Sequence, residues 1–214
     1  MDQEIGIWIV FILTFLFLAF YFWGRSKNYK IQKKAWTDLR PHIKQYGRKV
    51  GFKGLGSSAF QISVPGRDRD SFERAELAVA LLPRDLLIQY LISKIQGKKD
   101  EIIVKAQFKS KPNFSLEILS AKFKSPKKGE TKLNEMQVSN ILSHVKVFTS
   151  DETLANSLIR SIKKELKKLE ENLQFFSLSK EEPNLIFSCS MTPEVYTHIF
   201  PLIEKIGLNI SKIQ

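Results

Sequence analysis

RAELAVALLPRDLLIQYLISKIQGKKDEIIVKAQF, residues 74–108, decides the fold class. Leu77, Val79 and Leu81 alternate on one face of 74–82, the period of a strand. Pro83 then suits a first helical position, and Leu86, Leu87, Tyr90, Leu91 and Ile95 make one helical face closed by Gly97. Alternation returns at 101–108. A strand, a short helix and a strand joined by brief turns fit an α+β domain.

Downstream, 114–123 (FSLEILSAKF) alternates again after Lys111-Pro112-Asn113, which predicts a hairpin with 101–108. Residues 125–132 (SPKKGETK) read as an exposed basic loop. Ser150 is the expected N-cap of a long helix, with Asp151 and Glu152 in its first turn. Leu154, Leu158, Ile162, Leu166 and Leu169 form its apolar stripe, and Lys163, Lys164, Lys167 and Lys168 its outer face. Strands follow at 173–178 and 184–191. Thr192 and Pro193 start a last helix (Val195, Ile199, Leu202, Ile203, Ile206), which Gly207 is expected to stop. Upstream, Phe60, Ile62 and Val64 alternate as a strand ended by Pro65-Gly66. The order β-β-α-β-β, then α-β-β-α, gives an α+β domain over 59–214 with a mainly antiparallel sheet and packed helices.

Before that domain, GFKGLGSS (51–58) has neither phosphate-loop spacing and reads as a hinge. Residues 28–46 repeat Ile31, Ala35, Trp36, Leu39, Ile43 and Tyr46 at helical spacing between lysines, with a kink or a second turn expected at Pro41. Such a basic helix can lie on lipid or pack on the domain. Residues 25–58 are thus a juxtamembrane helix and hinge, and 1–24 an anchor. Its core, Ile5 to Trp23 (IGIWIVFILTFLFLAFYFW), has nineteen residues without charge, about 28 Å of helix. Trp8 at one end and Tyr21 with Trp23 at the other suit interfacial aromatic belts. An acidic start (Asp2, Glu4) and the bulky Phe20 to Trp23 argue against a cleaved signal. Arg25, Lys27, Lys30, Lys33 and Lys34 crowd the C-terminal flank, so the N-terminus is expected outside or in a lumen and the domain in the cytosol. The same cations suit anionic lipid.

The net charge of +12 in 214 residues sits in two zones. Residues 25–49 set nine Lys or Arg against Asp38, and 94–132 set eleven Lys against four acids. Sixteen Phe promise a real core. The single Cys189, inside an apolar run, is expected to be a buried hydrophobe.

Chemistry is sparse. His42, His144 and His198 lack partners at ligand spacing, and HEXXH, GxSxG and Walker A motifs are absent. Asp68 and Asp70, interleaved with Arg67 and Arg69, read as a solvated turn. No enzyme activity, cofactor, metal or small-molecule substrate is expected. Lysines mixed with Phe108, Phe114 and Phe123 resemble an RNA-stacking sheet in composition, but alternation places those rings in the core.

Three stretches resemble the calumin family: AELAVALLPRDLLIQYLISKIQGKKDEIIVKAQF (75–108), SNILSHVKVFTSDETLANSLIRSIKKELKKLEENLQFFSLS (139–179) and PNLIFSCSMTPEVYTHIFPLIEKIGLNISKI (183–213). The resemblance is one of pattern and element order over most of the domain. It implies a single-span membrane protein with a cytosolic α+β domain, acting with the PAT chaperone complex and the translocon in multipass-protein biogenesis. The family's acidic luminal segment and C-terminal coiled coil have no counterpart between Met1 and Gln214, so no calcium function is carried over. The expected function is a membrane-anchored accessory factor for membrane-protein insertion or folding. Its expected partners are lipid, translocon or insertase subunits, and the ribosome through rRNA or protein. Contacts fall to Lys124, Lys127, Lys128 and Lys132 in the loop and to the four lysines of the long helix. The alternatives are a membrane-tethered RNA-binding protein and a protein-binding scaffold, which share the same basic faces.

Overall fold

The computed structural model describes residues 2–46, 50–120, 133–136 and 145–213. The first element, α1 (Asp2–Lys44), is a single helix that runs through Pro41 without a break. Its first half is apolar and long enough to cross a membrane, and that window buries nothing against the rest of the chain. Its second half belongs to the domain. Ala35, Leu39 and Ile43, four residues apart, enter the core, so packing on the domain wins over lying on lipid.

The strands are β1 (Gly51–Gly54), β2 (Ala59–Pro65), β3 (Phe72–Ala80), β4 (Glu101–Phe108), β5 (Leu116–Ser120), β6 (Asn134–Met136), β7 (Val145–Thr149), β8 (Leu173–Leu178) and β9 (Leu185–Ser190). The helices after α1 are α2 (Leu87–Ile95), α3 (Glu152–Leu169) and α4 (Pro193–Ile213). Among the described residues the strands form one antiparallel sheet, ordered β1-β2-β3-β4-β9-β8-β5-β7-β6. The α+β class read from the sequence stands.

Alternation makes one face of the sheet the core. Phe60, Ile62 and Val64 on β2, Leu77 and Val79 on β3, and Ile102, Val104 and Phe108 on β4 are buried. Helix α4 lies between α1 and α3 on this face, contributing Ile199, Phe200, Leu202, Ile203 and Ile206. The outward face is half-buried and carries polar pairs such as Arg74 with Glu76 at 2.6 Å.

Several expectations need correction. Strands β4 and β5 are not a hairpin, because the β8–β9 hairpin lies between them. Asn184 ties the inserted hairpin to the end of β4. Buried in the β8–β9 turn, it accepts the Phe108 N–H at 3.1 Å and donates to Ser179 and Lys180 carbonyls. The Lys111-Pro112-Asn113 turn serves a crossover, for which residues 109–115 are long enough: three strand spacings are about 14 Å. Gly51–Gly54 is a strand rather than part of a hinge, since it pairs with β2 from Gly51↔Ser63 to Gly54↔Phe60, and Phe52 stacks on Phe60. The N-cap of α3 is Asp151, whose carboxylate accepts Leu154 N–H at 3.0 Å. Ser150 instead accepts Ser115 N–H at 2.9 Å. Helix α4 continues past Gly207 to Ile213 because Ile206 and Ile210 are both buried, and packing overrides weak propensity.

Asp70 is buried rather than solvated. It accepts the Arg67 backbone N–H at 2.9 Å and the Arg67 guanidinium at 3.1 and 3.2 Å. Burial raises its pKa, but the Arg67 hydrogen bonds outweigh burial and hold the carboxyl below its usual range. Burial likewise raises Glu165, and the Lys205 ammonium at 2.9 Å outweighs it. A depressed folded pKa means stability present above the unfolded pKa and lost as pH falls through the folded value. Acid unfolding followed by circular dichroism should therefore begin below about pH 4, and Asp70→Asn should remove part of the neutral-pH stability while flattening that limb. An Asp70→Asn profile parallel to wild type would contradict this. Cys189 is fully buried, and burial pushes its thiol up to about 12. It should react with maleimide only after urea is added.

Candidate membrane-facing site

Gly24, Asn28, Ile31, Gln32, Ala35, Leu39 and Ile43 form one stripe along α1, at steps of three and four residues. The stripe is polar where the span ends and apolar lower down. At Gly24 a side chain is excluded: a Cβ there would collide with the Arg84 carbonyl oxygen. The backbone after β3 thus lies directly against the end of the span.

One turn on, Asn28 is fully buried, and every polar atom of its amide is used. Its Nδ2 donates to the Leu82 carbonyl at 3.1 Å and to Ser58 Oγ at 3.2 Å. Its Oδ1 accepts Arg84 Nη1 at 3.0 Å. Arg84 makes a two-pronged pair with Asp100, at 2.9 and 2.7 Å, and Asp100 also accepts Leu82 N–H at 2.8 Å. Asp85 accepts both Ser57 and Ser58 hydroxyls, and Gln32 donates to the Ser57 carbonyl at 2.7 Å. Residues 56–58, read as hinge, are therefore fixed at their end. Because Arg84 and Asp85 are spent on this network, the helix starts at Leu87, not at Pro83.

Above the network the span ends in rings and cations. Arg25 donates to Tyr21 Oη at 2.8 Å and to Tyr29 Oη at 3.4 Å, and Lys27 Nζ stands 4.9 Å from the Trp23 ring centre. Lys30, Lys33 and Lys34 are exposed, off the packed stripe. Trp8, at the far end, is also exposed.

Helix α2 leaves the network beside the span. Tyr90 meets Phe20 with ring centroids 6.2 Å apart. The face expected from the sequence divides: Leu87 and Tyr90 are half-covered, whereas Leu86, Leu91 and Ile95 are exposed together with Ile88 and Ile92. Beneath the C-terminal end of α2 lies a cleft of about 670 Å³, bounded by Ser93, Lys98, Lys99, Glu101, Glu171 and Ser190 among others. Burial raises the pKa of Glu101 there, with Lys98 opposing it.

On α3, Arg160, Lys163, Lys164, Lys167 and Lys168 are exposed, and the opposite side is fully buried. None of the five has an ion pair among the described residues. Lys124, Lys127, Lys128 and Lys132 lie outside the described residues, as do Phe123 and His144. Phe108 and Phe114 are buried in the core, so neither ring is available for base stacking. Sequence reading missed Asn28, Arg84 and Asp100. A polar residue on a stripe that is apolar further along was the available signal for Asn28.

No family model matches the chain, and no curated protein matches it. Among solved structures, one similar chain is the mycobacterial trehalose monomycolate transport factor A, TtfA, at 9% sequence identity and a TM-score of 0.44, covering 83% of this chain and 92% of that one.

Removing one member of a buried ion pair leaves the other uncompensated, at a cost of about 3–5 kcal/mol. Arg84→Ala and Asp100→Ala should each destabilise the domain by amounts in that range, and the double variant by much less than their sum. Additive losses in urea titration would mean that the pair is not coupled. Gly24→Leu should loosen the span from the domain, read as faster proteolysis between 50 and 58.

Proposed function

We propose that this chain is a membrane-anchored, non-enzymatic accessory protein that acts in the insertion or folding of membrane proteins. It stands beside a translocon or insertase and presents a basic face to a phosphate-rich or acidic partner. The observation that carries the reading is the cation row on α3. Five exposed cations at helical spacing have no ion pair among the described residues, on a helix whose other side is fixed in the core. A preformed row of that kind attracts anionic surfaces at little ordering cost.

The junction at Asn28 and Arg84 supports the same reading, because it fixes α1 to the domain that carries the row. The resemblance of 75–108, 139–179 and 183–213 to the calumin family supplies the specific process, and the ribosome or its insertion machinery as the partner. The excess of Lys and Arg after Trp23 supports a cytosolic domain with the N-terminus outside.

The test is crosslinking from positions 164 and 167 of the full-length protein in native membranes. Translocon, insertase or ribosomal proteins should be recovered, and Lys163→Glu with Lys167→Glu should reduce their yield severalfold. Both side chains are exposed, so the fold should keep its melting temperature. Recovery of RNA alone, with a steep loss on adding salt, would favour the tethered RNA-binding alternative. An unchanged partner set after charge reversal would remove the α3 row from the account.

A further inference from the structure

Among the described residues, helix α2 carries the densest group of exposed apolar side chains in the domain. A helix advances 100° per residue, which puts Ile88, Leu91, Ile92 and Ile95 in one arc about 100° wide. They are 64%, 50%, 48% and 86% exposed. The side turned to the protein holds Leu87, Tyr90 and Ser93, so the apolar arc points away from the domain. Gln89 and Gln96 border it on one side and Lys94 on the other. A soluble domain rarely leaves its most apolar helix face in water.

The position of α2 says what covers that face. Tyr90 touches Phe20, which lies inside the uncharged run Ile5–Trp23 and not beyond it. Gly24, at the end of that run, abuts the Arg84 backbone just before α2 begins. A bilayer that covers Phe20 therefore reaches the middle of α2. The surrounding cations have the matching arrangement. Lys94 Nζ stands over the Tyr90 ring at 5.9 Å, and Lys98 and Lys99 follow the turn at Gly97, where φ of +70° closes the helix. Arg25 and Lys27 fold back on the aromatic end of the span. Long cationic side chains with an apolar stem suit the headgroup layer.

We infer that α2 is an interfacial membrane helix, seated with Ile88, Leu91, Ile92 and Ile95 in the boundary between headgroups and acyl chains, so that the domain grips the bilayer at a second point beside its span. This inference rests on the part of the proposed function that places α1 in a bilayer, and on nothing else in it. The occupant is lipid, not a protein groove.

The test uses the full-length protein reconstituted in phosphatidylcholine vesicles containing phosphatidylglycerol, with an environment-sensitive fluorophore on single introduced cysteines. Cys189 is buried and stays silent, so it needs no replacement. Labels at Ile88→Cys, Ile92→Cys and Ile95→Cys should emit blue-shifted light. A nitroxide near the headgroup end of the acyl chain should quench them more strongly than one at the chain terminus. Phe15→Cys, mid-span, should show the reverse preference, and Lys163→Cys should be quenched by neither. If Phe15 is quenched while the α2 labels remain in water, the inference falls and the membrane anchor stands. If the α2 labels are shielded but unquenched by either lipid, the face is covered by protein and the inference falls. If Phe15 itself is not quenched, the anchor fails and takes the inference with it.

Discussion

Burial of a polar amide and a guanidinium at the foot of an apolar helix is the constraint on which the rest of this structure depends. Asn28 and Arg84 sit where water is scarce, so each polar atom needs a protein partner. Asn28 meets that need completely, with Leu82, Ser58 and Arg84. Arg84 spends both terminal nitrogens on Asp100 and Asn28, while its Nε has no partner. Such networks tolerate little displacement, because a half-made one costs more than an apolar contact would. The arrangement therefore fixes the register of α1 against the loop from β3 to α2, and with it the way the domain hangs below the span.

The core carries that register into the sheet. Ala35, Leu39 and Ile43 extend the packed stripe of α1 beside α4, and Tyr46 stacks on Phe200 at 4.8 Å. Helix α4 is tied to the β2–β3 loop by Glu204, which accepts the Ser71 N–H, and to α3 through Lys205 and Glu165. These links join the span to the α3 cation row through packed helices, with no flexible linker among the described residues between Asn28 and Ile43.

Local pattern reached most of the elements and little of their pairing. Short-range pattern found β2, β3, β4, β5, β8 and β9, since one buried face makes a strand visible at short range. Pairing partners depend on contacts distant in sequence, and a turn signal such as Lys111-Pro112-Asn113 does not distinguish a hairpin from a crossover. Strand β1 hid behind glycines that read as loop, because its stability comes from β2 and from Phe52 on Phe60. The span and its cations were plain from composition. Asn28, Arg84 and Asp100 were not, since their roles arise only when three separate segments meet. In α2 the apolar spacing was visible, but only the structure shows which way that face points.

The continuity of α1 has a mechanical consequence. Forty-three residues in one helix make a rod about 65 Å long, continuous through Pro41. A span accommodates a thinner bilayer by tilting, and in a rigid rod the tilt of one half is the tilt of the other. The sheet and the α3 row would then swing through the same angle, with the bilayer surface as fulcrum. The seat of α2 at the interface would resist that swing, so a change in bilayer thickness would load the junction at Asn28 and Arg84 rather than turn the domain freely.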